Sequence, residues 1–169
     1  RSGLIYNPST LAAAVPVWFY PMPDGRYLAL FSRRLTDAGL SPASINGVLL
    51  YTGYEVDDAP CWATIGPRTG DPRPVELIPS EQPGIRRLVA TASRGSYLFT
   101  LNWYKKSLDD DETYALLQNF RVNRQGLTLM GEETVPRDLG LGIYCDRRYL
   151  WLFGQDINGK LSLARKNWG

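Results

Sequence analysis

The chain has 169 residues, of which 44% are hydrophobic and 21% charged, values typical of a single globular domain with a buried core. The formal net charge is only +2 and no long run of lysine or arginine occurs, so we expect neither a nucleic-acid partner nor a basic membrane-binding arm. No apolar stretch is long enough to predict a membrane-spanning helix.

The first part of the chain predicts four β-strands. Residues 1–13 form a short N-terminal segment, and strand signals begin at residue 14. Across a first unit, residues 14–65, runs of apolar and β-branched residues predict strands at 15–20, 26–31, 45–52 and 61–65. The cluster Pro21-Met-Pro-Asp-Gly25 predicts the turn between the first two strands.

A second unit, residues 85–130, repeats this order. The sequence predicts strands at 85–90, 97–101, 114–122 and 127–130. One alternative remains for the third of them, because Tyr114, Leu117 and Phe120 recur at helical spacing after an aspartate that could cap a helix. The repetition of the unit favours a strand there.

The last unit, residues 138–165, predicts three strands joined by two tight turns. Leu141, Ile143 and Cys145 alternate along the first strand, the apolar run 149–153 forms the second, and residues 161–165 form the third. The third strand follows Asn158-Gly159, a pair typical of hairpin turns in which both central residues have positive φ.

The three units share a sequence motif. Aligned, the second strands and their turns read DGRYLALF, RGSYLFTL and DRRYLWLF, headed by Tyr27, Tyr97 and Tyr149. Repeated units of four strands are typical of propeller blades, although a generic β-sandwich with coincidental Tyr-Leu pairs is an alternative. We therefore predict an all-β fold, a single β-propeller-like domain over residues 1–169 with about three blades. Because propellers typically need at least four blades to close, we expect missing upstream blades or a second chain to complete the ring.

The chain has no histidine, and Cys61 and Cys145 are its two cysteines. This composition argues against a histidine base and against a zinc site, and we expect no metal and no cofactor. Two buried thiols or one disulfide would both fit the cysteine count. Cys61 lies in the predicted outer strand of the first blade and Cys145 in the inner strand of the last, so we expect two separate thiols.

Three polar residues are candidates for a ligand site at the axis of a propeller. Arg86, Arg137 and Asp138 occupy comparable positions before the repeat tyrosines of the second and third units. The innermost strand of a blade lines the axis, so we expect these side chains to converge near one rim and to hold a hydroxyl-rich or carboxylate ligand. Asp138 is the candidate catalytic residue, and an ordinary solvated Arg137-Asp138 loop pair is the alternative.

Aromatic side chains are candidates for stacking on sugar rings. These aromatic residues are Trp18, Tyr20, Trp62, Trp103 and Tyr104. We expect Trp18 and Tyr20 to bind substrate together with Arg86 and Arg137. Packing between neighbouring blades is the alternative for each of them. Asp24 and Asp156 lie in predicted hairpin turns, where we interpret them as residues that form the turn.

The C-terminal part resembles a known family. The tail YLWLFGQDINGKLSLAR, preceded by GLGIY, resembles a C-terminal blade of five-bladed propeller proteins in the furanosidase-like glycoside hydrolase group, and it is most similar to bacterial propeller domains associated with arabinan breakdown. The matched residues are framework positions such as Gly142, Tyr149, Trp151, Gly154 and Arg165. No catalytic residue of the family is carried over to this chain by the resemblance.

The resemblance implies a carbohydrate-active propeller, secreted or in the cell envelope. The expected function is part of a glycoside hydrolase acting on a furanose-containing polysaccharide; the alternative is a non-catalytic lectin or a protein-interaction module. Glycoside hydrolysis needs two carboxyl groups, about 5 Å apart when configuration is retained and about 6.5–9.5 Å apart when it is inverted. Two acids facing each other across a ligand site would favour the enzyme, and aromatics with amides alone would favour the lectin.

Overall fold

The computed structural model describes residues 5–7, 11–14, 17–34, 58–65, 76–82, 84–107 and 110–168. The regular structure of these residues is antiparallel β-sheet with one short 3-10 turn, and no α-helix occurs among them. The prediction of an all-β fold is therefore confirmed. In this part of the chain, no helix has the length and apolar character needed to cross a membrane.

The strands form one small hairpin and three larger sheets, and within each sheet the strands lie side by side in chain order. The hairpin pairs β1 (Ile5–Asn7) with β2 (Leu11–Ala14). The first sheet contains β3 (Val17–Pro21), β4 (Tyr27–Arg34), β5 (Asp58–Ile65) and β6 (Glu76–Leu77). The second sheet contains β7 (Ile85–Arg94), β8 (Tyr97–Lys105), β9 (Tyr114–Asn123) and β10 (Gly126–Val135). After a 3-10 turn (Arg137–Leu139), the third sheet contains β11 (Gly142–Cys145), β12 (Tyr149–Gln155) and β13 (Leu161–Asn167).

The strand predictions for the second and third units are confirmed. Each predicted strand lies within or largely overlaps one of β7 to β13. The helical alternative for residues 114–122 is wrong, since these residues form β9 and pair along their length with β8 and β10. Tertiary pairing on both sides outweighs the helical spacing of three apolar residues.

The first sheet differs from its prediction in strand order. The strand predicted at 61–65 belongs to β5, which pairs directly with β4 and therefore takes the third place in the sheet. The short β6 pairs with β5 through Leu77 and Glu76 and is the fourth strand. The strand predicted at 45–52 lies outside the described residues.

The sequence repeat corresponds to equivalent places in the three sheets. Tyr27, Tyr97 and Tyr149 are the first residues of β4, β8 and β12, the second strand of each sheet. The leucine after each tyrosine is fully buried, at 0% exposure for Leu28, 0% for Leu98 and 1% for Leu150. The tyrosine therefore marks where each strand begins, and the leucine supplies core.

The second sheet separates two hydrophobic cores. Leu98 points to the first core, with Leu28, Leu30 and Trp62 of the first sheet. Phe99, its neighbour along β8, points to the second core, which also contains residues of the third sheet: Ile143, Cys145, Leu150 and Leu152. Alternation along an extended strand thus gives the second sheet two apolar faces, each covered by another sheet.

The two interfaces between sheets use different pairs of faces. The repeat leucines Leu28 and Leu98 meet in the same core, so the first and second sheets pack through equivalent faces. Leu150 instead packs against Phe99 and Leu101, which lie on the opposite face of β8 from Leu98. The second and third sheets therefore pack through opposite faces of the repeat, whereas the first and second sheets pack through the same face.

The turn before β13 forms differently from the prediction. Gly159 has a φ of +79°. Asn158 does not have a positive φ, and neither does any other described residue except glycine. The Asp156 Oδ1 accepts hydrogen bonds from the backbone N–H groups of Asn158 and Lys160, each at 2.9 Å. The predicted hairpin is confirmed, but the predicted positive φ at Asn158 is wrong. The Gly159 N–H donates to the Asp156 carbonyl at 3.0 Å, so Ile157 and Asn158 are the central residues of the turn and Gly159 alone takes the positive φ.

The two cysteines lie in different sheets as thiols. Cys61 is buried in β5 of the first sheet, and Cys145 is buried at the end of β11 in the second core. Removal from water raises the pKa of the Cys145 thiol, since burial disfavours the thiolate. Both groups are therefore expected to react slowly in the folded protein.

Thiol titration tests this arrangement of the strands. We expect two reactive thiols in unreduced protein unfolded with guanidinium, and much slower reaction of both in the native state at pH 7. The measurement is the reaction of Ellman's reagent with and without denaturant. Finding no thiol in the unfolded, unreduced protein would show a disulfide and would contradict the placement of Cys61 and Cys145.

Candidate functional site

A close contact between the 3-10 turn and β12 sets the position of Asp138. A Cβ atom added at Gly154 would lie 2.0 Å from the main-chain oxygen of Asp138 and 2.7 Å from its carbonyl carbon. Both atoms are backbone, so they cannot move aside as a flexible side chain can. A glycine at position 154 therefore lets the turn lie directly on the second strand of the third sheet.

Hydrogen bonds from both neighbouring sheets hold the same segment. The Trp103 indole N–H of the second sheet donates to the Gly140 carbonyl at 3.0 Å, and the Leu141 N–H donates to the Phe153 carbonyl of the third sheet at 3.1 Å. The Ser162 hydroxyl lies 3.2 Å from the Asp138 Oδ2 and donates to it. The segment from 137 to 141 is thus fixed at the junction of the second and third sheets.

This junction forms an open cavity of about 490 Å³, which we call the Asp138 cavity. Its apolar lining is exposed to solvent, at 41% for Trp103, 52% for Leu141 and 100% for Ile157. Its polar lining offers carboxylate, amide and guanidinium groups for hydrogen bonding, from Asp138, Asp156, Gln155 and Arg137. Apolar surface beside convergent polar groups is the usual composition of a small-molecule site.

The two carboxylates in the Asp138 cavity have different hydrogen-bond partners. The Asp156 Oδ1 is occupied by the two backbone N–H groups of the turn before β13. Asp138 accepts the hydrogen bond from Ser162 on one oxygen and lies partly exposed in the cavity wall. Asp138 is therefore better placed than Asp156 to meet a ligand without disturbing the fold.

The structure brings together two of the predicted site residues and separates the third. Arg137 and Asp138 line the Asp138 cavity, but Arg86 belongs to the interface between the first and second sheets and is 1% exposed. Its Nη1 donates to the Gln118 Oε1 at 3.1 Å, and its Nη2 donates to the Ile78 carbonyl at 2.6 Å. A ligand in the cavity cannot reach this buried guanidinium, so the expected convergence at one rim is not found.

Arg86 is part of a buried polar network that continues to Glu132. The Gln118 amide, which accepts from Arg86, donates its Nε2–H to the Glu132 Oε2 at 2.9 Å. Burial lowers the pKa of Arg86 to about 10, because the charged form loses its hydration; the nearby Glu132 carboxylate partly offsets this effect. Burying the charged guanidinium therefore costs free energy, and the hydrogen bonds of the network reduce that cost.

Glu132 also fixes the segment that leads from the first sheet to the second. Its carboxylate accepts hydrogen bonds from the Ser80 hydroxyl at 2.9 Å, the Glu81 N–H at 2.9 Å and the Gln82 N–H at 2.8 Å. The sequence pattern does not single out Glu132, because this residue lies in a polar stretch of β10. The sequence signal for this buried network lies in Arg86 and Gln118, two polar residues within otherwise apolar strands.

The predicted sugar-stacking aromatics are distributed between core and cavity. Trp18 and Tyr20 pack against the first core, and the Tyr20 hydroxyl is hydrogen-bonded to the Thr91 hydroxyl. Burial raises the pKa of Tyr20 accordingly. Trp62 and Tyr104 are buried, whereas Trp18 and Tyr20 are partly buried, and Trp103 is the member of the five that lines the Asp138 cavity.

Metal ligation and similarity to known proteins add no further assignment. Within the described ranges, no group of three His, Cys, Asp or Glu side chains is placed to hold a metal ion. Comparison of the sequence with protein-family models and with curated proteins finds no match. The Asp138 cavity and the resemblance of the third unit are therefore the two observations that bear on function.

Substitution of Arg86 separates a structural role from ligand binding. We expect Arg86→Met to lower the free energy of unfolding by about 3 kcal/mol, because it leaves Gln118 and Glu132 without their cation. The measurement is urea denaturation, with Arg94→Met at the exposed end of the same strand as the control, expected to change stability by less than about 0.5 kcal/mol. Unchanged stability in Arg86→Met, with a loss of ligand binding, would instead place Arg86 in the functional site.

Proposed function

We propose that this chain is a carbohydrate-active part of a β-propeller protein and that the Asp138 cavity holds a sugar unit of a furanose-containing polysaccharide. The observation that carries the proposal is the meeting of Trp103, Arg137 and Asp138 in one cavity at the junction of two blade-like sheets. An indole face offers apolar surface to a sugar ring, while the carboxylate and guanidinium offer an acceptor and donors to its hydroxyl groups.

The propeller part of the proposal is supported by the repeat and by one interface. The repeat tyrosines begin the second strand of each sheet, and the third sheet packs on the back of the second. The first and second sheets meet through equivalent faces, so the support comes from the second and third sheets. Completion of a ring by upstream blades or by a second chain belongs to the same proposal. A secreted or cell-envelope location is proposed from the family resemblance.

The hydrolase version assigns the reaction to a pair of carboxylic acids. Asp138 is the proposed catalytic residue, and Asp156 is the second carboxylate lining the same cavity. The occupation of Asp156 by turn N–H groups favours the second candidate, a lectin, in which the cavity binds the sugar without cleaving it. In the hydrolase version the second acid can also come from outside this chain, as expected for a propeller whose other blades supply it.

A substitution at Asp138 tests both versions against the same substrates. We expect the wild-type chain to bind linear arabinan and to bind cellulose weakly or not at all, as measured by affinity electrophoresis and calorimetry. If the protein is a hydrolase, reducing ends appear with arabinan, and Asp138→Asn abolishes their release with little loss of binding. If it is a lectin, no reducing ends appear and Asp138→Asn weakens binding about tenfold or more.

The matched control is Asp111→Asn, which changes an exposed acid in the loop before β9. It is expected to bind and cleave as the wild type does. Failure of the wild-type chain to bind any furanose-containing polysaccharide would overturn the proposal.

A further inference from the structure

Arginines are concentrated at one end of the second and third sheets. Three turns lie there, at residues 93–96 between β7 and β8, 123–126 between β9 and β10, and 146–148 between β11 and β12. The residues of these turns are polar or glycine. Together with the end of β9, the turns contribute five exposed arginines, which we call the arginine end: Arg94, Arg121, Arg124, Arg147 and Arg148.

Strand register brings two of these side chains into one row on the second sheet. Arg94 pairs with Tyr97, and Tyr97 pairs with Arg121, so the three side chains lie on the same face across β7, β8 and β9. Two strand spacings of about 4.8 Å place the backbones of Arg94 and Arg121 roughly 10 Å apart. Arg124 follows in the turn that leaves β9.

Trp168 connects this row to the turn of the third sheet. Its ring centroid lies 5.4 Å from that of Tyr97, and its indole N–H donates to the Asp146 carbonyl at 3.1 Å. The turn 146–148 therefore lies beside the arginine row of the second sheet. The two sheets present their arginines on one continuous surface.

The carboxylate at this surface is already occupied. The Asp146 Oδ1 accepts from the backbone N–H groups of Arg148 and Tyr149 at 2.7 Å each, and its Oδ2 accepts from the Trp151 indole at 2.8 Å. The Trp151 hydrogen bond is the main cause that lowers the pKa of Asp146, the backbone bonds add to it, and the Arg94 charge contributes as well. Asp146 therefore stays ionised as a turn-forming group.

The five guanidiniums lack acidic partners. Between described residues, the ion pairs join Arg26 to Asp24 and Lys166 to Glu133, and none involves the arginine end. The whole chain has a formal charge of +2, so the other residues together carry −3, that is +2 less the five arginines. Positive charge is thus concentrated on one surface, where it attracts anions.

We propose that the arginine end binds an acidic polysaccharide through the carboxylate groups of successive sugar units. A guanidinium presents N–H donors in a planar fork that matches a carboxylate, and a row of such groups can bind a polymer that repeats its charge. Anion binding follows from the surface alone, whereas the choice of a polysaccharide as the polymer rests on the proposed function.

The same surface is poorly suited to other polyanions. Stacking of unpaired bases needs free aromatic faces, but the two tyrosine rings beside the arginines already have contacts: Tyr97 with Arg121 and Trp168, and Tyr149 with Arg165 and Trp151. The three turns carry no apolar side chain to insert into a lipid surface. Duplex DNA carries one charge per about 1.7 Å, so the negative charge on the rest of the chain disfavours it.

Calorimetry with polygalacturonate, which has one carboxylate on each sugar unit, tests the proposal. We expect the wild-type chain to bind it in 50 mM NaCl and to bind about tenfold more weakly or less in 200 mM NaCl, because salt screens exposed charges. The double variant Arg147→Gln, Arg148→Gln should bind about tenfold more weakly than the wild type. The pair Arg94→Gln, Arg121→Gln should have a similar effect on the second sheet.

The matched control removes two positive charges elsewhere. Lys106 and Lys160 are exposed at the opposite ends of the strands, and Lys106→Gln, Lys160→Gln should bind within about twofold of the wild type. Circular dichroism verifies that each variant is folded. Absence of binding to polygalacturonate overturns the proposal, and so does an equal loss in the control. Tighter binding to duplex DNA or to phosphatidylserine vesicles than to polygalacturonate overturns it as well.

Uncharged linear arabinan separates this proposal from that for the Asp138 cavity. The seven residues of β12 run from the arginine end to that cavity and place the two surfaces about 20 Å apart. Binding of polygalacturonate without arabinan supports the arginine end and counts against the proposed function. Binding of arabinan without polygalacturonate does the reverse.

Discussion

The fold depends on a strand that is buried on both sides. Residues Leu98 to Asn102 of β8 are all buried, although successive side chains point to opposite faces. Such a strand has no solvated side, so a second layer must cover each face of its sheet. Burial of each large apolar side chain contributes about 1.5–3 kcal/mol of stability. Burial of Leu98 therefore stabilises packing of the first sheet on one face, and burial of Phe99 and Leu101 stabilises packing of the third sheet on the other. The first and third sheets thus owe their positions to the composition of one strand.

The two faces of the second sheet differ in composition. The face toward the third sheet is aliphatic and aromatic, and at its margin Trp103 reaches Gly140 and helps to shape the Asp138 cavity. The face toward the first sheet includes buried polar groups, and Asn102 donates to the Gln118 Oε1 at 3.1 Å and to the Leu116 carbonyl at 3.3 Å. Among the described residues, the Arg86 Nε and the Asn102 Oδ1 have no hydrogen-bond partner. Removing one member of such a network leaves its buried partners unsatisfied, so a single substitution costs more free energy than the intact network contributes.

Local pattern was sufficient to predict most of the fold. The strands of the second and third units are short, apolar and bounded by turn residues, so each could be located from its own sequence, and the Tyr-Leu repeat predicted their equivalent places. The order of the strands within the first sheet could not be predicted in this way. The pairing of β4 with β5 depends on the two strands together, and neither sequence alone specifies its partner. Likewise, Arg137 and Asp138 were adjacent by sequence, whereas Trp103 joins them only through folding. The burial of Arg86 was missed because its partners, Gln118 and Glu132, lie on two other strands.

Amide hydrogen exchange measured residue by residue tests the central role of β8 most directly. If the second sheet is the platform on which both other sheets depend, the amides of β8 and β9 exchange only through global unfolding, with protection equal to the full free energy of unfolding. The amides of β13, an edge strand of the third sheet among the described residues, should exchange much faster through local opening. The opposite order, with β8 opening locally while the third sheet stays protected, would contradict the account.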